Sequence, residues 1–107
     1  MRIRIYQIEM SLDGKRVAFM PYAYIREKYS EGFPSELYCK VHEGTVEADS
    51  LEDVFYIFNM AHPQDYRARS LSVSDVIEVV EENHSTFYYC DTIGFREVPF
   101  NTLCLIK

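Results

Sequence analysis

The residues best suited to chemistry lie in one run, Asp65-Tyr66-Arg67-Ala68-Arg69-Ser70-Leu71-Ser72-Val73-Ser74-Asp75. Ser70, Ser72 and Ser74 alternate with Leu71 and Val73, so a strand here directs all three hydroxyls to one side. Arg67 and Arg69 add planar forks of donors that match a carboxylate or phosphate, with Tyr66 and Asp75 flanking the set. Together these residues describe an anion-binding surface. The competing reading is structural: the serines cap a turn, and Asp75 satisfies backbone N–H groups ahead of the next strand. No G-x-S-x-G context exists and no base is committed to any serine, so nucleophilic catalysis is not indicated.

Other reactive side chains are more scattered. Asp75 and Glu78 lie three apart on a strand pattern and face opposite sides, which weakens any shared acid–base or metal site. Asp91 follows the partner strand, where an ion pair with Arg69 is the simplest expectation. His42, His62 and His84 each sit by turn residues and read as exposed tips. Cys39, Cys90 and Cys104 are odd in number, lack C-x-x-C spacing, and show no ligand spacing with the histidines. Neither a metal nor a cofactor is expected.

Positioning these residues requires a scaffold, and the pattern describes an α+β one. Ile3, Ile5, Tyr6, Ile8 and Met10 form a strand whose alternation slips once, as at a bulge. Asp13-Gly14 is a turn signal, and Arg16 to Met20 reads as a returning strand. Pro21 opens a helix carrying Tyr22, Ile25 and Tyr29 on one face, which stops near Gly32. Leu37 to Glu47 is extended. Asp49 or Ser50, with Asp53 three residues beyond Ser50, caps a second helix whose apolar stripe is Leu51, Val54, Phe55 and Phe58. Val76 to Val80 and Thr86 to Cys90 form a hairpin in which Tyr88 and Tyr89 face opposite ways, one towards the core. Arg96 to Val98 is short and extended, and Leu103 to Ile106 closes the sheet. The expected fold is a small, mainly antiparallel sheet with two short helices packed on it, one domain spanning residues 1–107.

Composition narrows the function classes. Hydrophobic residues make up 48% of the chain, enough for a globular core. Nine Tyr and seven Phe suit a core with an adhesive rim. The net charge of −6 arises wholly in residues 27–53, where eight acids face two lysines. Phosphate backbones require clustered Lys or Arg, so direct nucleic-acid binding is not expected. An acidic face of Glu43, Glu47, Asp49, Glu52 and Asp53 can instead attract and steer a basic protein, or serve only as a solvated surface. No apolar run reaches membrane-spanning length, and a reduced cytoplasmic setting is expected. Monomer and homodimer both remain open.

The order of these features resembles the YodL-like domain family. Its likeness is carried by Arg4-Ile5-Tyr6-Gln7-Ile8, Arg16-Val17-Ala18-Phe19-Met20, Leu51-Glu52-Asp53-Val54-Phe55 with Phe58-Asn59, and Tyr66 to Ile77. Phe87-Tyr88-Tyr89-Cys90-Asp91 and Ile93-Gly94-Phe95 complete it, so that the resemblance covers about residues 2 to 98. It implies an accessory protein of bacterial mobile elements or phages that binds a host protein. One version is an inhibitor of a nucleic-acid-targeting defence system such as CRISPR or restriction. The resemblance lends no catalytic residues, and the chain is expected to be non-enzymatic. An anion- or nucleotide-responsive module built on the Arg/Ser run is the alternative.

Overall fold

A computed structural model describes residues 1–105 of the chain. Five antiparallel strands form one sheet in the order β2-β1-β3-β4-β5. They are β1 (Arg2–Ile8), β2 (Tyr38–Thr45), β3 (Val76–Val80), β4 (Ser85–Cys90) and β5 (Phe95–Glu97). Three helices, α1 (Leu12–Lys15), α2 (Tyr22–Lys28) and α3 (Leu51–Met60), lie in the connections. The α+β architecture read from the sequence is therefore the one observed, with one extra helical turn.

Both faces of the sheet are covered, which explains the broken alternation of β1. Ile3 and Ile5 pack with Val54 and Phe58 of α3 on one side; Tyr6 and Ile8 pack with Ile25 of α2 on the other. A strand buried on both faces has apolar residues at consecutive positions. The register shift itself falls between Ile5 and Tyr6, but the additional residue is Val41 of β2: Ile5 faces His42 while Tyr6 faces Lys40.

Helix α3 starts as the sequence indicates. Ser50 Oγ accepts the Asp53 N–H at 3.1 Å, and Asp53 Oδ2 accepts the Asp49 N–H at 3.0 Å, so two otherwise orphaned donors are satisfied reciprocally. Val54 and Phe58 are fully buried one turn apart.

Two expected strands are absent. Arg16 to Met20 forms the turn after α1, because β1 already pairs with β2 on one side and β3 on the other and has no edge left for a hairpin partner. Gly14 is pressed against this corner: a Cβ there would stand 1.8 Å from Glu9 O. Near the end of the chain, Thr102–Cys104 is a 3₁₀ turn with Leu103 and Cys104 exposed; Ile106 lies outside the described residues.

The tyrosines are spent mainly inside. Tyr6, Tyr38 and Tyr89 are buried, and each hydroxyl finds an acceptor: Glu78 Oε1, Ser74 O and Met20 O respectively, all at 2.6 Å. Buried phenols need such partners. Among the described tyrosines only Tyr56 is strongly exposed and Tyr24 is 38% exposed, so an adhesive tyrosine rim is not what this composition built. Tyr89 is the core member of the Tyr88–Tyr89 pair.

Candidate functional site

The Arg/Ser run does not form a strand. Residues 70–75 make an irregular approach to β3, and the three serines diverge: Ser70 is exposed, Ser72 half-buried and Ser74 buried. The reason is a bulge. Ser74 N–H donates to Cys90 O at 2.9 Å and Cys90 N–H donates to Asp75 O at 2.8 Å, so two residues oppose one. Asp75 N–H also closes a turn on Ser72 O at 3.1 Å. Ser74 takes φ of 87°, a conformation usually filled by glycine. Its Oγ accepts the N–H of Phe19, itself at φ 67°, at 2.9 Å, while its carbonyl accepts Tyr38 Oη. The corner is thus held from two other segments.

Beneath this bulge lies a polar knot centred on Gln7 of β1. Gln7 Nε2 stands 3.1 Å from both Arg69 O and Asp75 Oδ2, and 3.5 Å from Tyr66 Oη. Tyr66 Oη donates to Arg69 O, and Ser72 N–H donates to Asp75 Oδ2 at 2.9 Å. Arg69 turns inward: its Nη2 donates to Ile8 O at 3.1 Å, and its guanidinium lies 5.5 Å over the Phe19 ring. Asp75 is 0% exposed, and burial raises its pKa to about 7. Burial likewise raises Tyr66 to about 12. Asp75 Oδ1 and Arg69 Nε are buried without hydrogen-bond partners among the described residues.

A carboxyl titrating near 7 has the protonation range for proton transfer. Sealed from solvent, however, Asp75 meets no substrate in this conformation; what it does here is fix the turn through Ser72 N–H. Of the run, Asp65, Arg67 and Ser70 are exposed; Arg67 bonds back to Gln64 O and, with Arg69, lines a shallow groove of about 480 Å³ shared with Met10, Cys39 and Val41. The expected Asp91–Arg69 pair does not form. Asp91 Oδ1 accepts the N–H groups of Tyr22 and Thr92, and Oδ2 lies 3.4 Å from Arg96 Nε.

His42 corrects the reading of three exposed histidines. It is buried, with its ring edge-on to Phe58 at 5.2 Å and Tyr66 at 5.4 Å, because β2 runs on past it to Thr45. His62 and His84 are exposed.

The structure also assembles an ion cluster that no motif announced. Arg4 bridges Glu78 at 2.8 Å and Glu43 at 3.3 Å; Arg2 and Lys40 hold Glu43 at 2.7 and 2.8 Å. Tyr6 Oη donates to Glu78, whose carboxylate is buried, and burial first and this bond second push the phenol above its usual range. The Lys40 hydrogen bond, aided by the charges of Lys40 and Arg4, holds Glu43 down at about 2. Arg2, Arg4 and Tyr6 share one face of β1, so period-two spacing was the available signal; what hid it was the pairing of β1 with β2 across a long loop.

Glu43 is therefore neutralised and drops out of the acidic face. Glu47, Asp49, Glu52 and Asp53 remain together on the β2–α3 connection and the first turn of α3, all exposed and without an ion pair among the described residues. No grouping of three or more His, Cys, Asp or Glu among the described residues is arranged to hold a metal ion. No helix among them is long and apolar enough to cross a membrane.

The family model described as a YodL-like domain matches residues 2–100, nearly the whole chain. The chain belongs to the YodL-like domain family. No curated protein and no solved structure matches it. In this YodL-like domain the segment Tyr66 to Ile77 helps build the polar knot and the bulge, while the acidic shoulder at residues 47–53 lies apart on the surface.

Proposed function

We propose that this YodL-like domain is a non-enzymatic binding module that engages a basic host protein through the acidic shoulder formed by Glu47, Asp49, Glu52 and Asp53. The observation that carries this reading is the contrast in how charge is used. Glu43, Glu78 and Asp91 are engaged by internal partners, whereas the shoulder carboxylates other than the capping Asp53 have no partner among the described residues and face water. An unneutralised patch of one sign speeds and orients the approach of an oppositely charged partner. The family likeness supports an accessory role on a mobile element or phage. There a nucleic-acid-targeting defence enzyme, whose groove is basic, is a fitting target for carboxylates that imitate phosphates.

Recovery of host proteins on the immobilised domain tests this. Raising ionic strength from about 0.1 M to about 1 M shortens the screening length from roughly 10 Å to roughly 3 Å. A specific partner should be released over that range and should not be retained by a Glu47→Lys, Asp49→Lys, Glu52→Lys variant. Retention of the same partner by the reversed variant at both salt levels contradicts the proposal.

A further inference from the structure

We infer that the hollow between α3 and the β4–β5 turn is the anchor point of the acidic shoulder, and that it takes one large apolar side chain from a basic segment of a partner protein. This deepens the reading above and rests on it. The hollow is walled by Phe55 of α3 and Phe95 of β5, whose rings meet nearly edge-on at 6.2 Å, and backed by Cys90. Its volume of about 280 Å³ falls just below the roughly 300–1,000 Å³ typical of small-molecule sites. That suits a single inserted side chain better than a cofactor. Interfaces concentrate their energy on such buried anchors.

The surroundings fit the occupant's charge. Glu52 forms part of the rim, and no ion pair or hydrogen bond occupies its carboxylate among the described residues. Asp49 and Asp53 stand one turn or less away on the same helix start. Glu97 follows Phe95 by two residues, on the same face of β5. Tyr56 and Met60, four and eight residues after Glu52, extend an exposed apolar strip along α3. A basic segment with one apolar residue therefore meets apolar walls inside and carboxylates around them.

The lip is also set before binding. Asp91 N–H donates to Gly94 O at 3.0 Å, closing the turn, and the Asp91 carboxylate pins it to Tyr22, Thr92 and Arg96. Gly94 supplies the positive φ of 72° that the turn requires. Ile93, between the lining residues Thr92 and Gly94, is 91% exposed at its tip. A wall that is already fixed loses little entropy on binding.

The test uses isotope-labelled protein and two synthetic pentapeptides: phenylalanine flanked on each side by two arginines, and the same peptide with central glycine. The account expects amide shifts from the phenylalanine peptide centred on Glu52, Phe55, Thr92, Gly94 and Phe95. Affinity should fall roughly tenfold with central glycine, the scale of losing one anchor. Phe95→Ala should remove the preference for the phenylalanine peptide, and Glu52→Lys, at an exposed position that leaves the fold intact, should weaken that peptide even where Phe95→Ala fails to fold. If both peptides bind equally, with shifts spread over residues 47–53, the anchor is wrong and the acidic-surface reading stands. If neither binds at low salt, both fall.

Discussion

The polar knot at Gln7, Tyr66, Arg69 and Asp75 and the acidic shoulder at residues 47–53 use charged and polar side chains in opposite ways. In the knot, polar atoms face one another and the backbone, and Asp75 has no contact with solvent. On the shoulder, the carboxylates face outward, and the only internal task any of them performs among the described residues is Asp53 capping α3. The comparison teaches that chemical conspicuousness in a sequence is not accessibility. A run of arginines and serines drew attention because of its residue types, yet most of it serves to turn the chain into β3.

That contrast can be broken by substitution, because knot residues should govern stability and shoulder residues binding. The largest effect is expected for Tyr66→Ala. It removes a buried ring packed on His42 and Phe58 and should cost about 3–5 kcal/mol in urea unfolding, as aromatic-to-alanine core changes do. A loss below about 1 kcal/mol would show that Tyr66 is not a structural member.

Next is the titration of Asp75. Its folded pKa, about 7, lies above the ordinary carboxylate value of 3.8. The folded state therefore binds the proton more tightly than the unfolded chain, and this contribution is full below the unfolded value. It fades as pH rises through about 4 to 7. Stability should accordingly fall by a few kcal/mol across that window, each pKa unit being worth about 1.4 kcal/mol. Asp75→Asn should flatten the slope. Glu43, held at about 2, works in the opposite sense: its contribution is present above 4.5 and disappears as pH falls towards 2. A wild-type profile that is level from pH 4 to 7 would refute the assignment of Asp75.

Gln7→Ala should cost about 1–3 kcal/mol, because it leaves the buried Asp75 and Arg69 acceptors without their shared donor. Smallest of all is the shoulder: Glu47→Lys and Glu52→Lys should each change stability by no more than about 0.5–1 kcal/mol, through surface charge and the α3 dipole. Thermal melts of the two would separate the regions cleanly.

How much of this was legible beforehand depends on whether the determining contacts were local. Helix α3 could be read from Ser50, Asp53 and the Leu51–Val54–Phe58 spacing, since capping and amphipathicity are properties of one segment. The β3–β4 hairpin was equally plain, and the acidic shoulder followed from counting charges. What escaped were consequences of strand order. Arg16 to Met20 has a strand's composition, but both edges of β1, its expected hairpin partner, are already taken. Glu43 looked like a free surface acid, and only the alignment of β2 with β1 brings Arg2 and Arg4 against it. His42 looked like a turn residue until β2 proved long enough to carry it under Phe58. The serines alternated convincingly, but a positive φ at Ser74 cannot be read from a run without glycine.

The most direct measurement is calorimetric titration of the recovered partner against three proteins. They are the wild type, the Glu47→Lys, Asp49→Lys, Glu52→Lys variant, and an Arg67→Ala, Ser70→Ala, Ser72→Ala variant that leaves the knot's hydrogen bonds in place. The account predicts that reversing the shoulder abolishes binding while emptying the Arg/Ser run leaves it within about twofold, a change worth only about 0.4 kcal/mol. Binding that survives the shoulder reversal and vanishes with the Arg/Ser variant would contradict it.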